Sequence, residues 1–111
     1  MTTVNLADYK DIYMQTAREY LESLSKSCEK LLDNPIDKDA LNQLHISSHS
    51  LRSQSQVMGY ANIGNLTGVI EKTARAGLEG NVSLTNDSVM NIKRDVEELE
   101  EMLKLVQHDR L

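Results

Sequence analysis

The sequence predicts an all-α domain: an antiparallel up-and-down four-helix bundle behind a short, loose N-terminal tail. Three observations predict it. Apolar residues recur at alternating steps of three and four along four long stretches. The breaks between those stretches are short and carry Pro, Gly, Asp and Asn. The composition holds no Trp or Phe, four Tyr, one Pro and five Gly in 111 residues, too few aromatic and turn residues for a sandwich or barrel. A chain of this length forms one domain, residues 1–111, with a single modest core.

Met1 to Ala7 shows no period and reads as the tail. The first helix is expected over about residues 8–33, with Ile12, Tyr13, Ala17, Tyr20, Leu21, Leu24, Cys28 and Leu31 on its inner face. Asp33-Asn34-Pro35 stops it, because proline and the residue before it resist the helical conformation. Asp37 can cap the second helix, about 37–58, and Gly59 can end it. Its inner seam is Leu41, Leu44, Ser48, Leu51, Ser55 and Met58. Asn62 is the expected cap of the third helix, about 62–79, on which Ile63, Leu66, Ile70, Ala74 and Gly77 keep the rhythm. Gly64, Gly68 and Gly77 each weaken that helix by up to roughly 1 kcal/mol relative to alanine, so they imply close approach by another backbone or a ligand. Gly80-Asn81 ends it. Thr85 is the expected cap of the last helix, about 85–107, whose seam is Val89, Ile92, Val96, Leu99, Leu103 and Val106. Asp95, Glu97, Glu98, Glu100 and Glu101 read as its solvated face, and His108 to Leu111 as a frayed end.

A formal charge of −5 argues against nucleic acid and anionic membrane surfaces as partners. No apolar run approaches the roughly 20 residues of a membrane span, and the N-terminus lacks the order of a signal peptide. The single cysteine, Cys28, falls on an apolar stripe and reads as a small core residue, with a reducing cytoplasm as the simplest setting.

The chemistry narrows by residue type. His45 and His49 are four apart, but Ile46 stands where helical zinc sites place a glutamate, and the one further ligand in prospect is Glu71, so no metal is assigned. No Gly-x-Ser-x-Gly turn, phosphate-cradling glycine loop or Walker pattern occurs. What remains is a histidine nucleophile. His49 lies one step past Ser48, about 100° round the helix, and so leaves the buried seam for solvent. His45, Arg52, Ser53 and Gln56, at −4, +3, +4 and +7, share its outward stripe.

The stretch His49-Ser50-Leu51-Arg52-Ser53, followed by Gln54-Ser55-Gln56-Val57-Met58-Gly59, resembles the histidine-containing phosphotransfer (HPt) family. That family carries His-x-Leu/Ile-Lys-Gly, then small residues, then a glycine ten places after the histidine. Pro35-x-Asp37, Ala40-Leu41-Asn42 and Gly80-x-x-x-Leu84-Thr85 resemble the phosphotransfer domain at the start of CheA-type chemotaxis kinases. The resemblance runs over roughly residues 10–106, with no gap between His49 and Glu71.

The resemblance implies that His49 is phosphorylated, that Glu71 orients its imidazole and that Arg52, standing where the family has lysine, stabilises the phosphoryl group. A carboxylate accepting Nδ1–H leaves the Nε2 lone pair free to attack phosphorus and offsets the positive charge growing on the ring. His45, Ser53, Gln56, Gly68, Lys72 and Arg75 are the expected partner-binding residues. The implied partners are a response-regulator receiver domain and a histidine kinase catalytic domain. The chain would act as a phosphotransfer intermediate with no ATP site or cofactor of its own, Mg²⁺ residing on the partner, as a cytoplasmic monomer. The CheA-like glutamate points to phosphorylation by a kinase, and to a domain of a longer kinase chain. Three departures bear on this reading. Ser53 replaces the glycine that gives a partner room, arginine replaces lysine, and Gln54 and Gln56 exceed the usual small residues. They keep open an alternative, an HPt-like adaptor that binds a receiver or kinase without relaying phosphate.

Overall fold

The computed structural model describes residues 6 to 108. Four helices follow one another: α1 (Leu6–Asp33), α2 (Lys38–Val57), α3 (Ala61–Leu78) and α4 (Asn86–His108). Each packs on the next and α4 closes back on α1, so the helices form a ring. Short connections force successive helices antiparallel. The expected all-α bundle is what forms, with no strand among the described residues. Leu6 and Ala7, expected in the tail, belong to α1; the rest of that expectation, residues 1–5, lies outside the described residues. His108 is helical rather than frayed, and 109–111 also lie outside them.

Most helix ends follow the sequence. The Asp37 carboxylate accepts from the Ala40 N–H at 3.1 Å, and the Thr85 hydroxyl accepts from the Ser88 N–H at 3.2 Å. Gly59 ends α2 with φ +82°, the left-handed conformation that a side chain resists. The expected Asn62 cap is a correction. The Tyr60 N–H returns to the Ser55 carbonyl at 2.8 Å, so the chain turns tightly and α3 starts at Ala61. Tyr60 takes the capping position without a side-chain cap, and its ring packs on Tyr13 with centroids 5.0 Å apart.

The six seam residues of α4 are all buried, in one core with Leu24 and Leu31 of α1, Leu44 and Leu51 of α2 and Ile70 of α3. Ile12 is a second correction: it is 61 % exposed, because Tyr13, one step further round α1, takes the inward position together with Met14. Leu84, from the connection before α4, is buried beside Gly77. Cys28 is buried and unpaired, and burial pushes its thiol up to about 11, which leaves it inert.

The serines of α2 have a physical reason. Tyr13 Oη and Ser55 Oγ are 2.8 Å apart, and the Ser47 hydroxyl donates to Ser23 at 2.7 Å. Ser48 returns its proton to the Leu44 carbonyl at 2.6 Å. Small polar side chains therefore let α1 and α2 close on each other without orphaned polar atoms. On its other side α2 meets the glycines of α3. A Cβ at Gly64 would stand 3.2 Å from Gln56 Cγ, and one at Gly68 would stand 3.3 Å from Arg52 Cδ. The weak helix formers of α3 buy a close α2–α3 seam.

Candidate functional site: two histidines and a buried carboxylate

Glu71 is the centre of that seam. It is 2 % exposed, an unusual place for a carboxylate, and it is tolerated because three donors from two helices bond it. Arg52 Nε donates to its Oε1 at 2.5 Å. Arg75, one turn on along α3, donates to Oε2 at 2.9 Å. His49 Nδ1 stands 2.9 Å from the same oxygen, and His45 Nε2 stands 4.0 Å from it. Burial would push the Glu71 carboxyl up, yet the hydrogen bonds from Arg52 and His49 outweigh it and hold the group below the usual carboxylate range. The carboxylate is therefore an anion at neutral pH and can only accept.

That fixes His49. A neutral imidazole facing a carboxylate through Nδ1 carries its proton there, so its Nε2 holds a lone pair. The His49 side chain is 54 % exposed, which leaves the far side of the ring open to solvent. Arg52, 30 % exposed, has a terminal nitrogen 3.4 Å from His49 Nδ1 and sets a cation beside the ring. A nucleophilic nitrogen, a carboxylate behind it and a guanidinium beside it is an arrangement suited to accepting a phosphoryl group.

The other expected residues divide into two flanks. Gln56, Gly68, Lys72 and Arg75 line, with Arg52 and Glu71, a groove of about 500 Å³ between α2 and α3. Ser53 lies on the opposite flank, in a smaller apolar depression with Tyr9, Ile12, Tyr13 and Val57. His45 differs from expectation in orientation: it is 28 % exposed, stacks on His49 with centroids 6.4 Å apart, and turns Nε2 inward. Sequence reasoning placed Arg75 on the partner-facing stripe and missed its bond to Glu71; the four-residue spacing on one helix was the available signal. Among the described residues no three His, Cys, Asp or Glu side chains are grouped to hold a metal ion. Guanidinium groups occupy the carboxylate instead.

The Hpt domain family model matches residues 8–109. The chain belongs to the Hpt domain family. Curated relatives are similar over nearly the whole chain: the chemotaxis protein CheA of Bacillus subtilis is 22 % identical over 93 % of this chain, and that of Listeria monocytogenes 24 % identical over 88 %. The chain spans about 15 % of the length of the first of these and 16 % of the second. Among solved structures, the CheA phosphotransferase domain from Thermotoga maritima superposes with a TM-score of 0.86 at 20 % identity, covering 93 % of this chain and 98 % of that one. A protein with a redesigned hydrophobic core, solved by NMR, gives 0.85 at 15 % identity over 98 % of this chain and 95 % of its own. The fold of this Hpt domain is thus shared with a natural phosphotransferase domain and with a redesigned protein, so its function has to be read from the site. Among the described residues no helix is long and apolar enough to cross a membrane.

Proposed function

We propose that this Hpt domain relays phosphate in two-component signalling, accepting a phosphoryl group on His49 Nε2 and passing it to a receiver aspartate. The observation that carries the reading is the bond between His49 Nδ1 and the buried Glu71 carboxylate on an otherwise exposed ring. The His49 Nε2 lone pair forms a bond to phosphorus as the bond from phosphorus to the donor oxygen breaks. The donor is ATP held by a histidine kinase catalytic domain, or the acyl phosphate of a receiver. Glu71 keeps the Nδ1 proton in place and offsets the positive charge that grows on the ring. Arg52 meets the charge on the phosphoryl oxygens. Mg²⁺ and the acceptor aspartate come from the partner, which is how so small a domain takes part without an enclosed pocket. His45, Ser53, Gln56, Gly68, Lys72 and Arg75 surround the imidazole as the partner-facing rim. We place the protein in the cytoplasm as a monomer.

Incubation with a cognate kinase, or with a phosphorylated receiver, should leave acid-labile, alkali-stable phosphate on the chain. His49→Gln should abolish it, and label surviving that substitution overturns the assignment. Receiver binding without uptake of phosphate selects the adaptor reading instead.

A further inference from the structure

His45 Nε2 is buried and has no hydrogen-bond partner among the described residues. An orphaned buried polar atom is costly and needs a reason. It faces Glu71 Oε2, 4.0 Å away, about 1 Å beyond hydrogen-bond length. That oxygen already takes His49 Nδ1 and Arg75, both at 2.9 Å. A carboxylate oxygen offers two lone-pair directions, so His45 finds a place only when one donor leaves. His49 is held by stacking and by the rigid α2 backbone. Arg75 is 51 % exposed and sits on a long, flexible side chain that also lines the groove. Arg75 is the donor free to go.

We propose that His45 is a positioning residue, a reserve donor for Glu71 that closes onto Oε2 when Arg75 leaves it for a phosphoryl group on His49. The idea deepens the relay reading and rests on it for the phosphorylated state alone. Arg75 bonds the same oxygen that holds His49 Nδ1, so a phosphoryl group on that imidazole offers its long side chain a second anion. If Arg75 left with nothing behind it, Glu71 would lose a donor while buried. His45 carries its proton on Nε2, since a lone pair there would face a carboxylate, and supplies the replacement. The two imidazoles then hold one oxygen through opposite nitrogens. His49 keeps Nε2 for phosphorus, and His45 has Nε2 turned inward. The adjacent histidines are thereby made unequal, one the acceptor and one its support.

Nitrogen-15 NMR of the imidazoles tests this, first without phosphate. In Arg75→Ala, His45 Nε2–H should appear as a slowly exchanging correlation that the unaltered chain lacks. The same signal should appear when the unaltered chain is phosphorylated with phosphoramidate, in which His49 gains the N–P bond and ammonia departs. The lifetime of that phosphate should fall about three- to tenfold in His45→Leu, the worth of one hydrogen bond, and be restored in His45→Gln, whose amide can donate from the place of Nε2. An unchanged His45 signal in Arg75→Ala overturns the proposal, as do equal lifetimes in the Leu and Gln variants. If the signal appears in Arg75→Ala but phosphoramidate labels a residue other than His49, the reserve donor stands and the relay reading falls.

Discussion

Replacing Glu71 by Gln separates what the carboxylate does from what its shape does. The side chain is isosteric and the site is buried, so the packing of the α2–α3 seam is kept while the charge is removed. The amide nitrogen can donate to His49 Nδ1, which would drive the imidazole proton onto Nε2 and leave no lone pair for phosphorus. Even where the amide oxygen faces the ring, it accepts as a neutral group. The difference between a charged and a neutral acceptor grows as the ring becomes positive in the transition state. A hydrogen bond to a charged group is worth about 1.5–3 kcal/mol, which corresponds to about 10- to 150-fold in rate. Stability should change less. Arg52, Arg75 and His49 are 30 %, 51 % and 54 % exposed, so water takes them back readily, and a net loss of about 1 kcal/mol is expected rather than the larger cost of stranding a buried charge. Initial rates of phosphorylation, with thermal melting to show that both proteins are folded, provide the assay. A folded Glu71→Gln protein that labels within twofold of the unaltered chain refutes the reasoning.

Three further outcomes follow from the same geometry. The Glu71 carboxyl is held below its ordinary range, so it contributes stability that is present above about pH 4 and lost as pH falls through the lowered value; acid melting curves should fall more steeply for the unaltered chain than for Glu71→Gln. Gly59→Ala forces a side chain into φ +82° with nothing to gain, since no atom lies within 4 Å of the added carbon, and should cost about 1 kcal/mol in denaturant melts with labelling unchanged. Tyr13→Phe leaves the Ser55 hydroxyl buried without its partner, and should destabilise the bundle by about 1–3 kcal/mol by the same measurement.

The bundle was legible because its evidence is periodic. The α4 seam from Val89 to Val106 was readable to the residue, since each member repeats the same burial requirement. Ile12 failed because a face drawn from apolarity alone cannot separate two adjacent apolar residues; the packing of Tyr13 on Tyr60 and Ser55 decided between them. Asn62 failed because a good capping residue was available one step too late, after a turn set by Gly59 and the Tyr60–Ser55 backbone bond. The site was legible in a different way. Three glycines on one helix were a statement about distance, and the α2–α3 seam is where they spend it. What sequence could not provide was direction at side-chain tips. His45 lies on the same stripe as His49 at four residues' spacing, yet its ring stacks on His49 and turns Nε2 inward towards Glu71.

The departures around Ser53 acquire a place in this picture. Ser53 and Gln54 stand on the α1 flank, where Tyr9, Ile12 and Val57 leave an apolar depression and Gln54 reaches the Tyr20 hydroxyl at 3.4 Å. Gln56 stands on the α3 flank, against Gly64. The bonds to Glu71 come from Arg52, Arg75 and His49 rather than from Ser53, Gln54 or Gln56, so these substitutions act on how a partner approaches rather than on the imidazole chemistry. Arg52 is the exception, because it bonds the hub carboxylate directly through Nε, a nitrogen that lysine lacks. Arginine can bind Glu71 with Nε and still present its terminal nitrogens beside His49, whereas a single ammonium would have to divide itself between them. A partner that fits this domain should therefore be sensitive to bulk at Ser53, while the rate of the chemical step should be sensitive to the fork at Arg52.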